Sequence, residues 1–486
     1  MEISLNRRSI NCFKKMSEPA VNCEAAAECV VPDVQEDIRQ VLTTSFITKI
    51  RSKDIDIEEI NIKAELNAVV LYFSENGIEK LEMPLPVNAK IPAKDIDSSC
   101  LINADIKVSS WDLRVINPRK VSLKADVNVK ASCYRENELV WYERPDELPE
   151  KLFVKSDSAV MSIVDTVAEK TITAEEEFDL DGSSDLRLLS AFAAYRTESS
   201  EAVGDKLVVR GRADIDAVYL SDGKLVNGVF SIPFSQLFDV GGDDSGECEA
   251  AILSTGEYYD IVDGKLSAEL HAVIQLVYRK KCEISFASDA YSCCCDTTLR
   301  YEPLEFCSES NAVTMKDNIQ LSFDSPKNIA ELMLSKAYIA KTEALDDSVS
   351  ATVAAELIYR DAENEVYCGK IRGNVEFPLE NSSQYKSLHS EISGIRAVTN
   401  GNSIDFRGEV RLTAKRDECS SINCISAIEE GEAVSAESPS AYIVFSDEDI
   451  WNVAKKYRSS CEKISEIVSE NCQNKRSKKL FVPVIK

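Results

Sequence analysis

One pattern recurs three times in this chain and limits its fold more than any other feature. Ile60 to Tyr72 reads INIKAELNAVVLY, Leu207 to Tyr219 reads LVVRGRADIDAVY, and Val349 to Tyr359 reads VSATVAAELIY. Alternation of apolar and polar residues over that length predicts a strand with one buried face. A turn follows each copy: Ser74-Glu75-Asn76-Gly77, Ser221-Asp222-Gly223 and Asp361-Ala362-Glu363-Asn364. Asn-Gly and Asp-Gly accept the positive φ that tight hairpins require. The return strands carry proline, in Met83-Pro84-Leu85-Pro86, Ile232-Pro233-Phe234 and Phe377-Pro378-Leu379. Proline has no N–H for a ladder, which places these segments at a strand end or a sheet edge.

The later part of each unit repeats too. Turns at Asn117-Pro118-Arg119, Asp263-Gly264 and Asn400-Gly401 each lead into another alternating run, at Val121–Val127, Leu266–Leu270 and Ile404–Val410. The anchoring tyrosines lie 147 and 140 residues apart. A period of that size is a whole domain, not a solenoid repeat of about 20–50 residues. The expected fold is mainly β: three tandem, sandwich-like β repeats followed by a small C-terminal domain. Boundaries are expected at Arg144–Glu150, around Cys295–Ser310 and at Glu429–Ser440, an acidic stretch that reads as a flexible linker. They divide the chain into 1–150, 151–297, 298–428, the linker 429–440, and 441–486.

Charge excludes some partners. Asp and Glu number 83 against 56 Lys and Arg, a net −27 in 486 residues. Phosphate binding needs a surplus of cations, so neither nucleic acid nor an anionic membrane surface is an expected partner. No apolar run approaches the ~20 residues of a membrane helix, and Met1 to Lys15 alternates without the core of a signal peptide. These features predict a cytoplasmic protein without membrane insertion. The 16 cysteines are then expected as reduced thiols, many of them buried. Cys293, Cys294 and Cys295 fall in a strand-like stretch whose alternation sends neighbours to opposite faces, a poor match to zinc-ligand spacing.

The sequence offers no catalytic constellation. His271 sits in the alternating run Leu270–Ile274, and His389 follows Leu388 in an expected loop. There is no Gly-rich phosphate loop, no H-E-x-x-H and no C-x-x-C. No cofactor or metal is implied, and the chain is expected not to be an enzyme.

From Ala441 the period changes. A short strand, Ala441–Val444, and a polar cluster, Ser446–Asp449, precede Ile450, Val453, Ala454 and Tyr457. Their spacing is one face of a helix. Ser459-Ser460-Cys461-Glu462 fits the capping box that opens a second helix, with Ile464, Ile467 and Val468 as its apolar side. After Asn471–Lys478 the chain closes on a strand, Leu480–Val484, in the order β-α-α-β. The segment resembles a LysM domain: Ile450-Trp451-Asn452-Val453-Ala454-Lys455-Lys456-Tyr457 matches the family's first helix, and Lys479-Leu480-Phe481-Val482-Pro483 its closing strand. Ser446–Asp449 stands where the family has Gly-Asp, in a loop that meets N-acetylglucosamine chains.

Residues 441–486 hold nine Lys and Arg against six Asp and Glu, a net +3 beside −30 for the rest. A basic module on an acidic body would steer toward an acidic protein partner. Ile450, Trp451, Tyr457, Lys475 and Arg476 are the candidate partner-binding residues, with Ile450 and Tyr457 on the buried stripe and Trp451 off it.

The N-terminal segment Glu28-Cys29-Val30-Val31-Pro32-Asp33-Val34-Gln35-Glu36-Asp37-Ile38 is similar to the opening of a SPOCS domain, with Glu36 at a usual proline. Ser325-Pro326-Lys327-Asn328-Ile329 echoes it in the third repeat, and the second has no clear copy. SPOCS repeats followed by LysM are the architecture of spore coat morphogenetic proteins of clostridia. The resemblance implies a scaffold in the mother-cell cytoplasm at the forespore surface. Its LysM domain would bind the ATPase that polymerises the coat's basement layer. The alternative implied by LysM alone is binding of peptidoglycan or N-acetylglucosamine.

Overall fold

The computed structural model describes residues 2–180, 185–241, 246–385, 387–434, 441–445, 449–471 and 479–483. The architecture is mainly β, with 22 strands, two short α-helices and one 3-10 turn (Ser382–Gln384) among the described residues.

The first unit contains β1 (Glu2–Ile3), β2 (Asn6–Ser17), β3 (Ala20–Val30), β4 (Gln40–Asp56), β5 (Glu59–Ser74), β6 (Gly77–Pro92), β7 (Leu101–Asn117) and β8 (Lys120–Glu143). β4, β5 and β6 form an antiparallel sheet with β5 central. β8 is flanked by β7 on one side and by β3, then β2, on the other. The two sheets face each other. Ile60, Ile62, Ala64, Leu66, Ala68 and Val70 of β5 meet Val121, Leu123, Ala125, Val127 and Val129 of β8 in one core. Period-2 alternation on both sheets puts these residues on the inner faces and makes the unit a sandwich.

The second unit repeats the plan with β9 (Leu152–Asp179), β10 (Leu186–Val203), β11 (Lys206–Ser221), β12 (Lys224–Asp239), β13 (Glu247–Val262) and β14 (Lys265–Ser292). The third uses β15 (Cys295–Asp324), β16 (Ile329–Ala344), β17 (Ser348–Asp361), β18 (Val366–Pro378), β19 (Ser387–Asn400) and β20 (Ser403–Ala433). The alternating runs that recur in the sequence are the central strands β5, β11 and β17. The proline-bearing return strands β6, β12 and β18 lie at sheet edges, where a missing N–H breaks no ladder. Asp222 and Gly223 turn the second hairpin at φ 51° and 73°.

The long strands extend beyond their sandwiches and join the units. β9 pairs with β14 down to Leu152↔Ser292, and β15 with β20 from Cys295↔Ala433. Cys307↔Ser162 links these two ribbons, and Phe13↔Val164 ties β9 to β2 of the first unit. Cys12, Trp141, Met161, Ile163, Ile284, Phe286, Leu304 and Cys424 form a core drawn from all three units. Cys295–Ser310 is therefore strand throughout, and the second unit passes to the third at the bend just before it, Cys293–Cys294. Glu429–Ala433, expected as linker, extends β20, because β1 and β15 pair with it from either side. The rest of the expected linker, 435–440, lies outside the described residues.

The three hairpin sheets meet at another place. Each first strand carries a bulge at the same point, between Val41 and Thr43, Leu188 and Ser190, and Leu332 and Leu334. The extra residues, Leu42, Leu189 and Met333, are buried in one cluster with Leu71, Val218 and Ile358. A bulge re-aims one side chain out of the alternation. Here it sends three equivalent residues into one junction between the units.

His389 is in strand β19, not a loop. Cys293 and Cys294 form a bend between β14 and β15 and are not strand. The cysteines whose side chains are described are free thiols.

Candidate partner-binding surface

The C-terminal module contains β21 (Ala441–Phe445), α1 (Ile450–Lys456), α2 (Cys461–Asn471) and β22 (Lys479–Pro483). β21 and β22 pair antiparallel, from Ala441↔Pro483 to Phe445↔Lys479. Val453 and Ala454 of α1, Ile464 of α2 and Val482 of β22 form its buried centre. Ser460, rather than Ser459, caps α2: its Oγ accepts the Lys463 N–H at 3.4 Å. The Ser459 hydroxyl donates to the Pro483 carbonyl.

α1 ends in a Schellman turn. Ser459 N–H reaches Ala454 O at 2.9 Å and Arg458 N–H reaches Lys455 O at 3.4 Å. Arg458 occupies the left-handed position at φ 52°, where glycine is the usual choice. Its side chain accounts for the exception. The guanidinium donates to the Cys295 carbonyl at 3.1 Å and to the Asp296 carboxylate at 2.5 Å, both on the body.

The module's core is shared with the body. Tyr291 and Cys293, at the end of β14, are buried among Val453, Ala454, Ile464 and Val482. A register shift between Ala287 and Asp289 bulges β14 just before this point. Asp289 then faces α1. Its Oδ2 accepts the Trp451 indole N–H at 2.8 Å, and its Oδ1 accepts the Lys455 ammonium at 2.6 Å and the Ala290 N–H at 2.8 Å. Trp451 meets the Tyr291 ring edge-on at 5.0 Å, and Tyr291 stacks on Phe153 at 5.2 Å. The Tyr291 hydroxyl donates to the Ser459 carbonyl at 2.6 Å.

Electrostatics follow from this packing. Burial alone would raise the Asp289 carboxyl, but the Lys455 and Trp451 hydrogen bonds outweigh it and hold the group below the usual carboxylate range. Burial pushes the Cys293 thiol up to about 11. It raises Tyr291 and Cys461 as well. At neutral pH Asp289 is therefore an anion beneath α1, beside neutral thiols and a neutral phenol.

The candidate residues divide as follows. Trp451 is half-buried and its polar atom is committed to Asp289. Ile450 packs at the edge of the shared core, and Tyr457 lies against Tyr442 with ring centres 4.9 Å apart. Lys475 and Arg476 lie outside the described residues. Asp289, Tyr291 and Arg458 belong to the same site but carry no local sequence motif. Asp289 is 162 residues from Trp451, and no periodicity connects them.

Fold and site together define a class: three fused β sandwiches carrying a βααβ module whose first helix is docked on the second sandwich. Comparison with known families, curated proteins and solved structures finds no match to this chain. Among the described residues no helix is long and apolar enough to cross a membrane.

Proposed function

We propose that the protein is a non-enzymatic scaffold of spore-envelope assembly, whose C-terminal module recruits a protein partner. The observation that carries this reading is architectural. Three β units share cores, so they form one body, and one small module with an aromatic, cationic helix face is attached to it. That order of parts resembles the clostridial spore coat morphogenetic protein SipL, with SPOCS-type repeats before a LysM-type end. By that resemblance the partner is the ATPase of the coat's basement layer, and the place of action is the mother-cell cytoplasm at the forespore surface. The +3 module on the −30 body supports an acidic protein partner over a neutral glycan.

The test uses the full chain, because residues 437–486 alone lack Tyr291 and Cys293 of the shared core. Tagged protein is incubated in parallel with purified peptidoglycan and with a lysate of sporulating cells, and a fluorescent fusion is followed through sporulation. Recovery of the coat ATPase and a ring of fluorescence at the forespore support the scaffold. Retention on peptidoglycan without a protein partner replaces it with the glycan-binding alternative. Diffuse fluorescence in growing cells that never concentrates at a forespore rejects the localisation.

A further inference from the structure

We infer that the face of α1 docked on the body recognises a protein strand that presents a carboxylate and an aromatic ring two residues apart. Asp289-Ala290-Tyr291 occupies that face in cis as a latch. The inference rests on the proposed function only in taking this helix face as the partner surface.

The shape of the contact identifies the ligand. Trp451 and Lys455 are one helical turn apart and converge on a single carboxylate, from Nε1 at 2.8 Å and Nζ at 2.6 Å. Two residues further along β14, on the same side of the strand, Tyr291 packs its ring edge against Trp451. Its hydroxyl reaches the carbonyl of Ser459, just past the end of α1. The face therefore reads a carboxylate, then an aromatic with a hydroxyl, on an extended chain. A basic, aromatic surface of this kind selects against basic and purely aliphatic segments, because either would leave Trp451 and Lys455 without an acceptor.

The same contact limits access. A partner strand of this chemistry can dock only when α1 lifts off Asp289 and Tyr291, so its apparent affinity falls by the fraction of chains that are latched. The latch has a polar rim: the Lys455 side chain is 41% exposed and that of Asp289 21%. Asp289 and Tyr291 stay in the β9 ladder, so water can reach the ion pair and replace it as the module lifts off. The tether runs from Val434, whose N–H is held by Cys294 O at 2.9 Å, to Ala441. An undocked module thus stays beside the body and can re-dock.

The probe is a labelled ten-residue peptide copying Glu283–Ser292, EISFASDAYS, which contains no cysteine. Its anisotropy is measured against wild-type full chain, against Asp289→Asn/Tyr291→Ala, and against the milder Asp289→Asn. The double variant is expected to bind at least tenfold tighter than wild type, with Asp289→Asn in between. A peptide with asparagine at the Asp289 position is expected to lose about tenfold. Hydrogen exchange of residues 450–457 should speed up in the unlatched chain and slow again when peptide is added. Equal binding to latched and unlatched chains, or no preference for the acidic peptide, would overturn the inference. Loss of protection through α2 that peptide does not restore would also overturn it, by making residues 289–293 a fixed part of the module core. If the peptide binds as expected but no coat ATPase is recovered from lysate, the latch stands and the functional reading falls.

Discussion

Asp289 and Trp451 meet at 2.8 Å across 162 residues of sequence, and the ionisation of Asp289 decides how firmly the C-terminal module is held. The groups facing it are Lys455 and Trp451 from α1, with the Tyr301 phenol of β15 close enough to feel its charge. Its folded-state value is depressed, so its contribution is complete above the ordinary Asp value of about 3.9 and is lost as pH falls through the lower folded value. Docking is therefore expected to be constant from neutral pH to about pH 4 and to weaken only below that. Asp289→Asn should remove the acid-dependent part. Hydrogen exchange of residues 450–457 against pH, in wild type and variant, checks it; the same acid profile in both would refute the assignment.

The bulge residues Leu42, Leu189 and Met333 make a second prediction. Each is buried where the three hairpin sheets meet. Leu189→Ala removes atoms from a junction that cannot collapse without moving two other units, so about 2–5 kcal/mol of stability should be lost. Deleting Leu189 outright should be worse than truncating it. Without the bulge, the residues of β10 beyond it shift by one and exchange faces. Urea unfolding of the two variants separates these effects. Equal losses would mean that the side chain matters and the bulge does not.

The alternating strands, their turns and their edge prolines were legible because they depend on local chemistry. INIKAELNAVVLY alternates in the sequence, and its buried side matches in the structure because period 2 leaves no choice of face. The ribbons that join the units were not legible. Glu429-Glu430-Gly431-Glu432 has the composition of a linker, and pairing with Glu2 of β1 and with Thr297 and Thr298 of β15 makes it strand. His389 was misplaced for a related reason: β19 is a weakly patterned edge, held by pairing with β20. The helices and closing strand of the module could be read from spacing and capping. Its dependence on Tyr291 and Cys293 could not, since a core shared between segments about 160 residues apart leaves no periodic trace in either.

A third prediction concerns a charge buried between units. The Lys336 ammonium of β16 has no hydrogen-bond partner among the described residues. It lies over the Phe192 ring of β10 at 4.9 Å, in the field of Asp216 and Glu356. Burial lowers Lys336 and raises Asp216. Each shift marks a group that would be more stable uncharged, so this cluster subtracts from stability at neutral pH. Lys336→Met alone leaves Asp216 without its cation, whereas Glu356 keeps its ion pair with Lys370; the change should cost about 3–5 kcal/mol. Combined with Asp216→Leu, it should be neutral or stabilising by about 1–4 kcal/mol. A double-mutant cycle on urea midpoints decides the point, and additive losses would show that the two groups do not interact.

Arg458 supplies the last prediction, because two demands on it conflict. At φ 52° its backbone is in the region where glycine has no steric cost, so Arg458→Gly should relieve strain of about 1 kcal/mol at the end of α1. The same change removes the guanidinium from Cys295 O and Asp296, which hold the module on the body. The two effects act on different equilibria: the helix end becomes easier to form while docking becomes weaker. Arg458→Asn is the control, since asparagine tolerates the left-handed region but carries no cation to reach Asp296. Both variants should therefore speed exchange along the docked face of α1 by several-fold, and glycine should leave the Ser459 amide at least as protected as in wild type. If glycine instead slows exchange throughout α1, the arginine is a tolerated defect in the turn and the module is held by Asp289 and Tyr291 alone.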